Sequence, residues 1–391
     1  MKQEIYFDNA ATTPVDKRVL NEMLPYFSDI YGNPGSFHNK GKKAKEAVED
    51  ARSRIAKILN CKSKEIIFTS GGTESINFAL KGIAFTNKSR GNHIITSEIE
   101  HHAVLHTCDF LEKNGFQLTY LKVDKFGLVN PKDVESAITD KTILVSIMYA
   151  NNEIGTIEPI AEIGKICRQK KVYLHTDACQ AAEALDLSVS NLNVDLMTLN
   201  GSKIYGPKGV GILYLKEGIK IEPLIHGGGQ EFDLRSGTEN VPFIIGFAKA
   251  LEISQEERKK ESERLIKLRD ALIDGLLKIP KTKLNGHPSL RLPNNINVSF
   301  LDIEGEAMLL YLNEKGVYAS TGSACASKSL ETSHVLRAIG LPYEASHGSL
   351  RFSLGKYTTL AEIKYLLKIM PKIVETLRKI SPLNLSMEHY K

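Results

Sequence analysis

The stretch His175-Thr-Asp-Ala-Cys-Gln180 and the later stretch Asn200-Gly-Ser-Lys-Ile-Tyr-Gly206 decide how this chain is interpreted. Each follows a predicted buried strand, so together they place a carboxylate, an amide and a lysine amine at the ends of two strands. The amine can condense with an aldehyde, while the carboxylate can hold a proton on a basic ring nitrogen. The two stretches therefore predict a site for pyridoxal 5′-phosphate (PLP), whose ring stabilises a carbanion at the α-carbon of a substrate.

Around these stretches, the length and composition are typical of a globular enzyme. The chain has 391 residues, 42% hydrophobic and 25% charged, which is enough for a large core and two domains. The net charge of +5 is spread along the chain, so we expect no nucleic-acid partner. No apolar run reaches membrane-spanning length and no signal-peptide core is present, so we expect no membrane association. Five widely separated cysteines without a Cys-x-x-Cys pair argue against zinc and disulfides, and favour the reducing cytoplasm.

Predicted strands and helices alternate through the first two-thirds of the chain, which is typical of a mostly parallel sheet covered on both faces. A long charged helix over 247–277 then leads to a second alternation over 295–377, which predicts a smaller α/β domain. The predicted strands of the first part are 65–70, 93–97, 117–123, 142–150, 172–177, 195–199 and 209–215, and its predicted helices are 44–59, 73–84, 101–114 and 160–171.

The segment Thr69-Ser-Gly-Gly-Thr-Glu-Ser75 lies between a predicted strand and a predicted helix. Backbone N–H groups at a helix N-terminus bind phosphate, and glycines such as Gly72 let them approach it closely. Thr73 adds a hydroxyl donor. An ordinary helix cap explains the same residues when they are taken alone. Beside the lysine and the carboxylate, phosphate binding is the interpretation that we prefer.

Several polar side chains at predicted strand ends have two interpretations. Asp177 ends an apolar strand, where its carboxylate needs a partner such as a protonated pyridine nitrogen or a neighbouring helix N-terminus. Gln180 could donate to the phenolate oxygen of the cofactor or simply begin a helix. Lys203 lies in a turn where a lysine is ordinarily exposed. His101 could stack on a pyridine ring and exchange protons, or begin a surface helix.

Three residues elsewhere are also open to two interpretations. Asn152 follows a strong predicted strand, in an asparagine-rich turn of a kind that is common without any function. Cys325 lies in a small, polar stretch, so it is either an exposed reactive thiol or a loop cysteine without a role. Arg351 alternates within a predicted strand, where it either faces solvent or binds a substrate carboxylate through both of its terminal nitrogens.

Taken in order, the motifs of this chain resemble those of the NifS/IscS-type cysteine desulfurases, which are class V, fold-type I PLP enzymes. The match runs over nearly the whole chain, and the joint order and spacing of the motifs are highly specific. The matching motifs are Tyr6–Pro14, Gly32–Pro34, Thr69–Glu74, Glu100-His101, Asn151–Gly155, His175–Gln180, Lys203–Gly209, His226–Gln230, Arg235–Thr238, Ser323–Cys325 and Arg351–Gly355.

This resemblance implies an α/β fold of the fold-type I PLP-dependent transferases. Residues 14–255 would form a large PLP-binding domain with a mostly parallel seven-stranded sheet. Residues 1–13 and 256–391 would form a small α/β domain that carries the catalytic-cysteine loop, which resembles the longer form of the NifS/IscS branch. The family forms homodimers, so the resemblance also implies that Thr238 reaches the phosphate in the other subunit.

The resemblance also assigns roles to the candidate residues. Lys203 would carry PLP covalently, His101 would stack on the ring and move protons, and Cys325 would accept sulfur. Asp177 would pair with the pyridine nitrogen and Gln180 with the phenolate oxygen. The remaining assignments are phosphate binding by Gly72 and Thr73, and binding of the cofactor and the substrate carboxylate by Asn152 and Arg351.

One pair of residues departs from the family pattern. Relatives usually carry a histidine directly before the lysine and a serine three residues before it, and both typically contact the phosphate. Here these positions are Ser202 and Asn200. Both side chains can still donate hydrogen bonds to the cofactor, but a potential positive charge is lost, so we expect weaker phosphate binding.

The expected reaction removes sulfur from L-cysteine to give L-alanine and a persulfide on Cys325. The sulfur would pass to an acceptor such as an iron–sulfur scaffold protein of the IscU type, with which Cys325 could transiently ligate a cluster; no resident metal is expected. The alternatives are a selenocysteine lyase, another class V enzyme such as an aminotransferase, and a non-catalytic sulfur carrier or scaffold-binding protein. Cys325 argues against an aminotransferase, and Lys203 argues against a non-catalytic protein.

Overall fold

A computed structural model describes residues 4–321 and 332–382, in which strands and helices alternate. The strands are β1 (Ile5–Tyr6), β2 (Ile66–Thr69), β3 (His93–Ser97), β4 (Gln117–Leu121), β5 (Thr142–Ser146), β6 (Tyr173–Asp177), β7 (Leu196–Asn200), β8 (Gly211–Leu215), β9 (Thr282–Leu284), β10 (Asn295–Phe300), β11 (Val317–Tyr318) and β12 (Ser349–Ser353). The α-helices are α1 (Lys17–Met23), α2 (Pro25–Ser28), α3 (Asn39–Leu59), α4 (Gly72–Thr86), α5 (His102–Lys113), α6 (Pro131–Ala137), α7 (Ile160–Lys170), α8 (Val189–Leu192), α9 (Val241–Leu276), α10 (Gly305–Glu314), α11 (His334–Ala338), α12 (Tyr343–His347) and α13 (Leu360–Ile380).

Seven of these strands form the central sheet, in the order β2-β8-β7-β6-β5-β3-β4. The five strands from β7 to β4 are parallel, whereas β8 runs antiparallel to both β7 and β2. Only residues 201–210 connect β7 to β8, which is too short for a crossover helix, so β8 must return in the opposite direction. The predicted mostly parallel seven-stranded sheet is confirmed, and Lys203 lies in this short connection.

Both faces of the sheet are buried, because helices cover each of them. In β2, Ile66 and Phe68 pack into the core on one face, while Ile67 packs into the core on the other. Helices α3, α7 and α9 contribute to the first core, and helices α4 and α5 contribute to the second. Successive strand residues point to opposite faces, so a sheet covered on both sides requires the continuous apolar runs seen in the sequence.

A separate core forms around the three-stranded antiparallel sheet β12-β10-β9. The N-terminal strand β1 pairs in parallel with β11, and both Ile5 and Phe7 lie in this core. Helix α9 joins the two parts of the molecule, since Phe247 packs against the seven-stranded sheet and Leu272 packs in the separate core. The predicted domain limits, at residues 14 and 255, stay a prediction.

The predicted elements match the observed ones, with differences at their ends. The strand expected over 142–150 ends at Ser146, because its neighbour β3 ends at Ser97. Beyond that point the backbone N–H of Met148 donates to the Glu100 carboxylate instead, at 2.9 Å. Helix α3 begins earlier than predicted, because His38 Nδ1 accepts a hydrogen bond from Gly41 N and caps it. Within residues 4–321 and 332–382, no helix is both long and apolar enough to cross a membrane.

Candidate active site

The carboxyl ends of the parallel strands and the starts of α4 and α5 surround a cavity of about 320 Å³. Loops after parallel strands converge at this edge of a sheet, which is where α/β proteins commonly bind ligands. The cavity walls bring together nine of the residues predicted from the sequence, namely Gly72, Thr73, His101, Asn152, Asp177, Gln180, Asn200, Lys203 and Arg351.

Lys203 ends a short 3₁₀ turn that directly follows β7. Its Nζ donates to the carbonyl oxygens of Ala10, at 3.0 Å, and Ala11, at 2.5 Å. Among the described residues, no carboxylate forms an ion pair with this amine. Burial lowers the pKa of Lys203 below its ordinary value, and the nearby charge of Arg351 acts in the same direction. A lysine with a lowered pKa is neutral more often and is therefore a better nucleophile.

Asp177 is the last residue of β6 and is only 8% exposed. Its Oδ1 accepts a hydrogen bond from Cys179 N at 3.0 Å, and no cation in the described part of the chain pairs with it. A buried carboxylate without a cationic partner is costly, so the site suits a ligand that brings a protonated nitrogen. Gln180 lines the same cavity and donates through Nε2 to Ala10 O at 3.0 Å.

His175, two residues before Asp177, ties three strands together. Its Nδ1 bonds with Ser146 Oγ at 2.9 Å and its Nε2 with Thr198 Oγ1 at 3.0 Å, which links β6 to β5 and β7. Burial lowers the pKa of His175 to about 4, so the ring is neutral at neutral pH. His175 therefore fixes the strand end without giving Asp177 a cationic partner.

His101 forms the N-cap of α5, where its Nδ1 accepts a hydrogen bond from Ala103 N at 3.0 Å. The prediction that His101 stands at the start of a helix is confirmed, but the residue also lines the cavity. Burial lowers the pKa of His101, although Asp177 opposes this shift. Because Nδ1 accepts from a backbone N–H, the neutral ring carries its proton on Nε2.

The N-terminus of α4 forms the opposite wall of the cavity. Gly71 precedes the helix with a φ of +148°, a conformation that favours glycine, and no side chain caps the first turn from this position. A Cβ at Gly72 would lie only 3.0 Å from Cys179 Sγ, so the backbone here packs closely. Thr73 is exposed and lines the cavity. Uncapped N–H groups at the start of a helix suit an anion such as phosphate.

The two residues that depart from the family pattern occupy different places. Asn200 lines the cavity next to Gly72, and its Oδ1 accepts from Ser202 N at 3.4 Å. Ser202 does not line the cavity, and its carbonyl oxygen accepts from Thr13 N at 2.9 Å. The predicted contact between Ser202 and the cofactor therefore stays a prediction.

Arg351 lies in the middle of β12, with a side chain that is only 3% exposed. Its Nη2 pairs with Asp8 Oδ1 at 2.8 Å, and its Nη1 donates to Asn152 O at 2.9 Å. Its Nε is buried and has no partner among the described residues. The interpretation of Arg351 as a solvent-facing strand residue is therefore wrong, and a substrate carboxylate would have to compete with Asp8 for it.

Two of the predicted residues lie outside the cavity walls. Thr238 is exposed in the loop before α9 and does not line the cavity. Its predicted contact with the other subunit stays a prediction. Cys325 lies outside the described residues, between Thr321 and Thr332.

The cavity also contains residues that were not singled out from the sequence. Glu153 belongs to a matched motif but had no assigned role; its Oε2 accepts from Ser333 Oγ at 2.5 Å, and burial raises its pKa. Cys179 is a buried thiol whose pKa is raised well above the ordinary value, chiefly by burial. Ala10 and Ala11 contribute their carbonyl oxygens as hydrogen-bond acceptors, and every residue type has such a carbonyl, so the sequence does not indicate this role. Of these, Glu153 and Cys179 could have been found from the sequence, because each lies in a matched motif beside a predicted residue, Asn152 or Gln180.

Comparisons with known proteins identify the family of the chain. The model of the class-V aminotransferase family matches residues 5–366. The cysteine desulfurase IscS of Methanosarcina thermophila is 57% identical over 379 residues, which cover 97% of this chain and 94% of that protein. The protein of the same name from Clostridium botulinum strain Hall is 54% identical over 386 residues, which cover 98% of this chain and 97% of that protein.

Two solved structures resemble the chain closely. A NifS-like protein superposes with a TM-score of 0.90 at 42% identity, covering 97% of this chain and 100% of that one. The structure of SspA in complex with cysteine gives a TM-score of 0.80 at 39% identity, covering 91% of this chain and 100% of that one. The chain therefore belongs to the class-V aminotransferase family, in the branch of the IscS-type cysteine desulfurases.

Proposed function

We propose that this protein holds PLP on Lys203 and removes the sulfur of L-cysteine, giving L-alanine and a persulfide on Cys325. The observation that carries the proposal is that one cavity contains both a lysine with a lowered pKa, Lys203, and a buried carboxylate, Asp177, with no cationic partner among the described residues. Relatives named cysteine desulfurase support the reaction, and the neighbour solved in complex with cysteine supports the substrate.

The residues of the cavity fit PLP at each of its polar groups. Asp177 would hold the ring nitrogen in its protonated form, because no cation in the part of the chain that the structure describes pairs with its carboxylate. The first N–H groups of α4, with Thr73 and Asn200, would bind the phosphate. Gln180 would donate to the phenolate oxygen after releasing Ala10 O. When bound, PLP supplies an electron sink that draws electrons away from the α-carbon of the substrate.

Two side chains, Lys203 and His101, would accept or donate protons next to the α-carbon of the substrate. Lys203 in its neutral form can accept a proton at Nζ, and the Ala10 and Ala11 carbonyls then hold the resulting ammonium. His101 presents its Nε2 N–H as a hydrogen-bond donor while Ala103 N fixes the ring from the other side. Arg351 would orient the substrate by binding its carboxylate in place of Asp8.

Cys325 would accept the sulfur by attack of its thiolate on Sγ of the substrate. The new S–S bond forms as the bond between Sγ and the β-carbon breaks, and that bond's electron pair remains with the carbon fragment. Proton uptake by this fragment then gives L-alanine. A thiol is suited to this step because a few per cent is already thiolate at neutral pH.

We further propose a homodimer, in which Thr238 serves the cavity of the other subunit, and transfer of the sulfur to an acceptor for iron–sulfur cluster assembly. The acceptor would be a scaffold protein of the IscU type. We place the reaction in the cytoplasm, because persulfide transfer needs reduced thiols and all four cysteines in the described part of the chain are free.

Persulfide mapping tests this proposal. After treatment with L-cysteine, mass spectrometry should find added sulfur on the Cys325 peptide of the wild type, and Cys325→Ser should form alanine at a rate reduced by about 10²-fold or more. The matched control is Cys61→Ser, because Cys61 lies outside the cavity walls. Persulfide on Cys179 or Cys108 instead, or full alanine formation by Cys325→Ser, would overturn the assignment.

A further inference from the structure

The N-cap residue of helix α11 and the first residue of the helix both bond to loops that follow strands of the seven-stranded sheet. Ser333 Oγ bonds with Glu153 Oε2 at 2.5 Å, in the loop after β5. His334 Nε2 bonds with the carbonyl oxygen of Glu100 at 2.8 Å, in the loop after β3. We call these two residues the Ser333–His334 clip.

The direction of each bond follows from its partners. Leu336 N donates to Ser333 Oγ at 3.2 Å, so the hydroxyl hydrogen of Ser333 is left for the Glu153 carboxyl group. A carbonyl oxygen can only accept, so His334 carries a proton on Nε2. Burial lowers the pKa of His334, which favours the neutral ring with that proton. Both clip residues are therefore donors, and both acceptors lie in loops that follow strands of the seven-stranded sheet.

Each acceptor is the sequence neighbour of a cavity residue. Glu100 directly precedes His101, and Glu153 directly follows Asn152. The Glu153 backbone is also held, since its carbonyl oxygen accepts from Asn297 Nδ2 at 3.1 Å. A shift of either loop would move its cavity residue along with it, because adjacent residues share a peptide plane.

The hydrogen bond of His334 connects the loop before His101 to helix α11. Ser97 Oγ and Met148 N hold the Glu100 side chain, at 2.7 and 2.9 Å, but His334 holds its backbone carbonyl. The ring of His334 also packs edge-on against that of His102, with centroids 4.7 Å apart. His334, more than 230 positions later in the chain, therefore helps to hold the backbone from which His101 extends, together with Asn151, whose Nδ2 donates to Ile99 O at 2.9 Å.

We propose that Ser333 and His334 are positioning residues, which hold the loops of His101 and Asn152 in the geometry that the reaction needs. This inference rests on the proposed roles of His101 and Asn152. A positioning contact differs from a purely stabilising contact in the property that its loss affects. A stabilising contact would affect unfolding alone, whereas a positioning contact affects turnover in protein that is fully folded and loaded with cofactor. A displacement of about 1 Å can cost 10²-fold in rate.

The first test compares two substitutions of His334. His334→Leu removes the donor to Glu100 O, whereas His334→Gln retains a side-chain N–H donor. The matched control is His106→Gln, because His106 also contacts the His102 ring but is exposed and lies outside the cavity walls. We expect His334→Leu to lower kcat about tenfold or more with KM within about threefold, and the other two variants to remain near wild type.

Hydrogen exchange provides a readout that does not depend on activity. Mass spectrometry of the peptide over residues 97–106 should show faster exchange in His334→Leu than in the wild type, with or without added PLP, and near wild-type exchange in His334→Gln. Unchanged exchange and kcat in His334→Leu would overturn the proposal. Equal losses in the Leu and Gln variants would also overturn it, because packing and not the hydrogen bond would then be responsible.

The second test applies the same logic to Ser333. Ser333→Thr keeps the hydroxyl that both caps α11 and donates to Glu153, while Ser333→Ala removes it. We expect a loss of kcat in Ser333→Ala alone, and equal activity of the two variants would contradict the role of this residue. His101→Ala is measured alongside. If His101→Ala turns over like wild type, the proposed role of His101 fails and the positioning role of His334 falls with it, whereas the role of Ser333 is decided separately by the loss of kcat in Ser333→Ala.

Discussion

The two strongly charged walls of the cavity are built in opposite ways. On the seven-stranded sheet, Lys203 and Asp177 form no ion pair with any described residue, and the lysine is held only by backbone carbonyls. On the three-stranded sheet, Arg351 is already paired with Asp8 and bonded to Asn152 O. The wall with Lys203 and Asp177, which we call the open wall, has charged groups without ionic partners among the described residues. The wall with Arg351 has its charged group paired before any ligand binds.

This difference indicates that the two walls have different functions, one in catalysis and the other in substrate recognition. A buried lysine amine without an ionic partner loses its proton more readily and can then form a covalent bond, and a carboxylate without a cationic partner can accept a cationic ligand, which together suit a cofactor and proton transfer. A buried guanidinium in a fixed network keeps its charge and position, which suits recognition of a carboxylate. Changes on the first wall should therefore lower kcat or cofactor binding, and changes on the second should raise KM.

Among the substitutions that test the difference between the two walls, the largest loss of kcat is expected at His101. His101→Ala should lower kcat by about 10²–10⁴-fold, the usual range for loss of an acid–base group, while the Arg351 wall still binds substrate and keeps KM within a few-fold. Steady-state formation of alanine from L-cysteine measures both constants. His106→Ala serves as the control, since this exposed histidine lies on the same helix. Wild-type turnover in His101→Ala would return the residue to a purely structural N-cap.

A smaller effect of the opposite kind is expected at Arg351. Arg351→Lys retains the charge but loses the planar fork, so KM for L-cysteine should rise about tenfold while kcat stays within a few-fold. Arg18→Lys is the control, because Arg18 forms a half-exposed ion pair away from the cavity. A fall in kcat with unchanged KM would remove the distinction between the two walls.

A still smaller effect is expected at the departure from the family pattern. Ser202→His should tighten PLP retention by several-fold and at most about tenfold, because it restores a potential positive charge near the phosphate. Titration of the dialysed protein with PLP measures the affinity. Unchanged or weaker affinity would mean that the connection between β7 and β8 does not bring this position to the phosphate.

The smallest effect concerns the pH dependence of stability. Burial raises the pKa of Glu100 to about 8, so the folded protein keeps this proton well above the unfolded value of 4.5. The unfolded chain loses the proton first, so the stabilising contribution is complete below about pH 4.5 and is lost as the pH rises towards 8. Glu100→Gln cannot ionise, and its unfolding temperature should fall less between pH 5 and 8, by about 2 °C or more. Parallel pH curves for the two proteins would contradict this.

The two walls also differ in how well the sequence predicts the positions and contacts of their residues. Asp177 ends a predicted strand, and Lys203 and His101 lie shortly after predicted strands, so their positions at one sheet edge could be predicted from the sequence alone. The bond between Asp8 and Arg351 joins residues 343 positions apart, and the contacts of Lys203 are with the carbonyls of two alanines. Backbone carbonyls carry no residue-type signal, and long-range pairing depends on the folded topology, so these features required the structure. Ser202 shows the same limit, because its sequence position beside Lys203 does not place it in the cavity wall.

The central claim is that the open wall exists to hold PLP on Lys203. Borohydride makes the link between PLP and its lysine permanent, and peptide mapping then identifies the labelled residue. We predict label on the peptide that contains Lys203, and none on Lys208, which belongs to the same motif but is exposed and does not line the cavity. Label on Lys208 or on any other lysine, or no label in protein saturated with PLP, would contradict this claim.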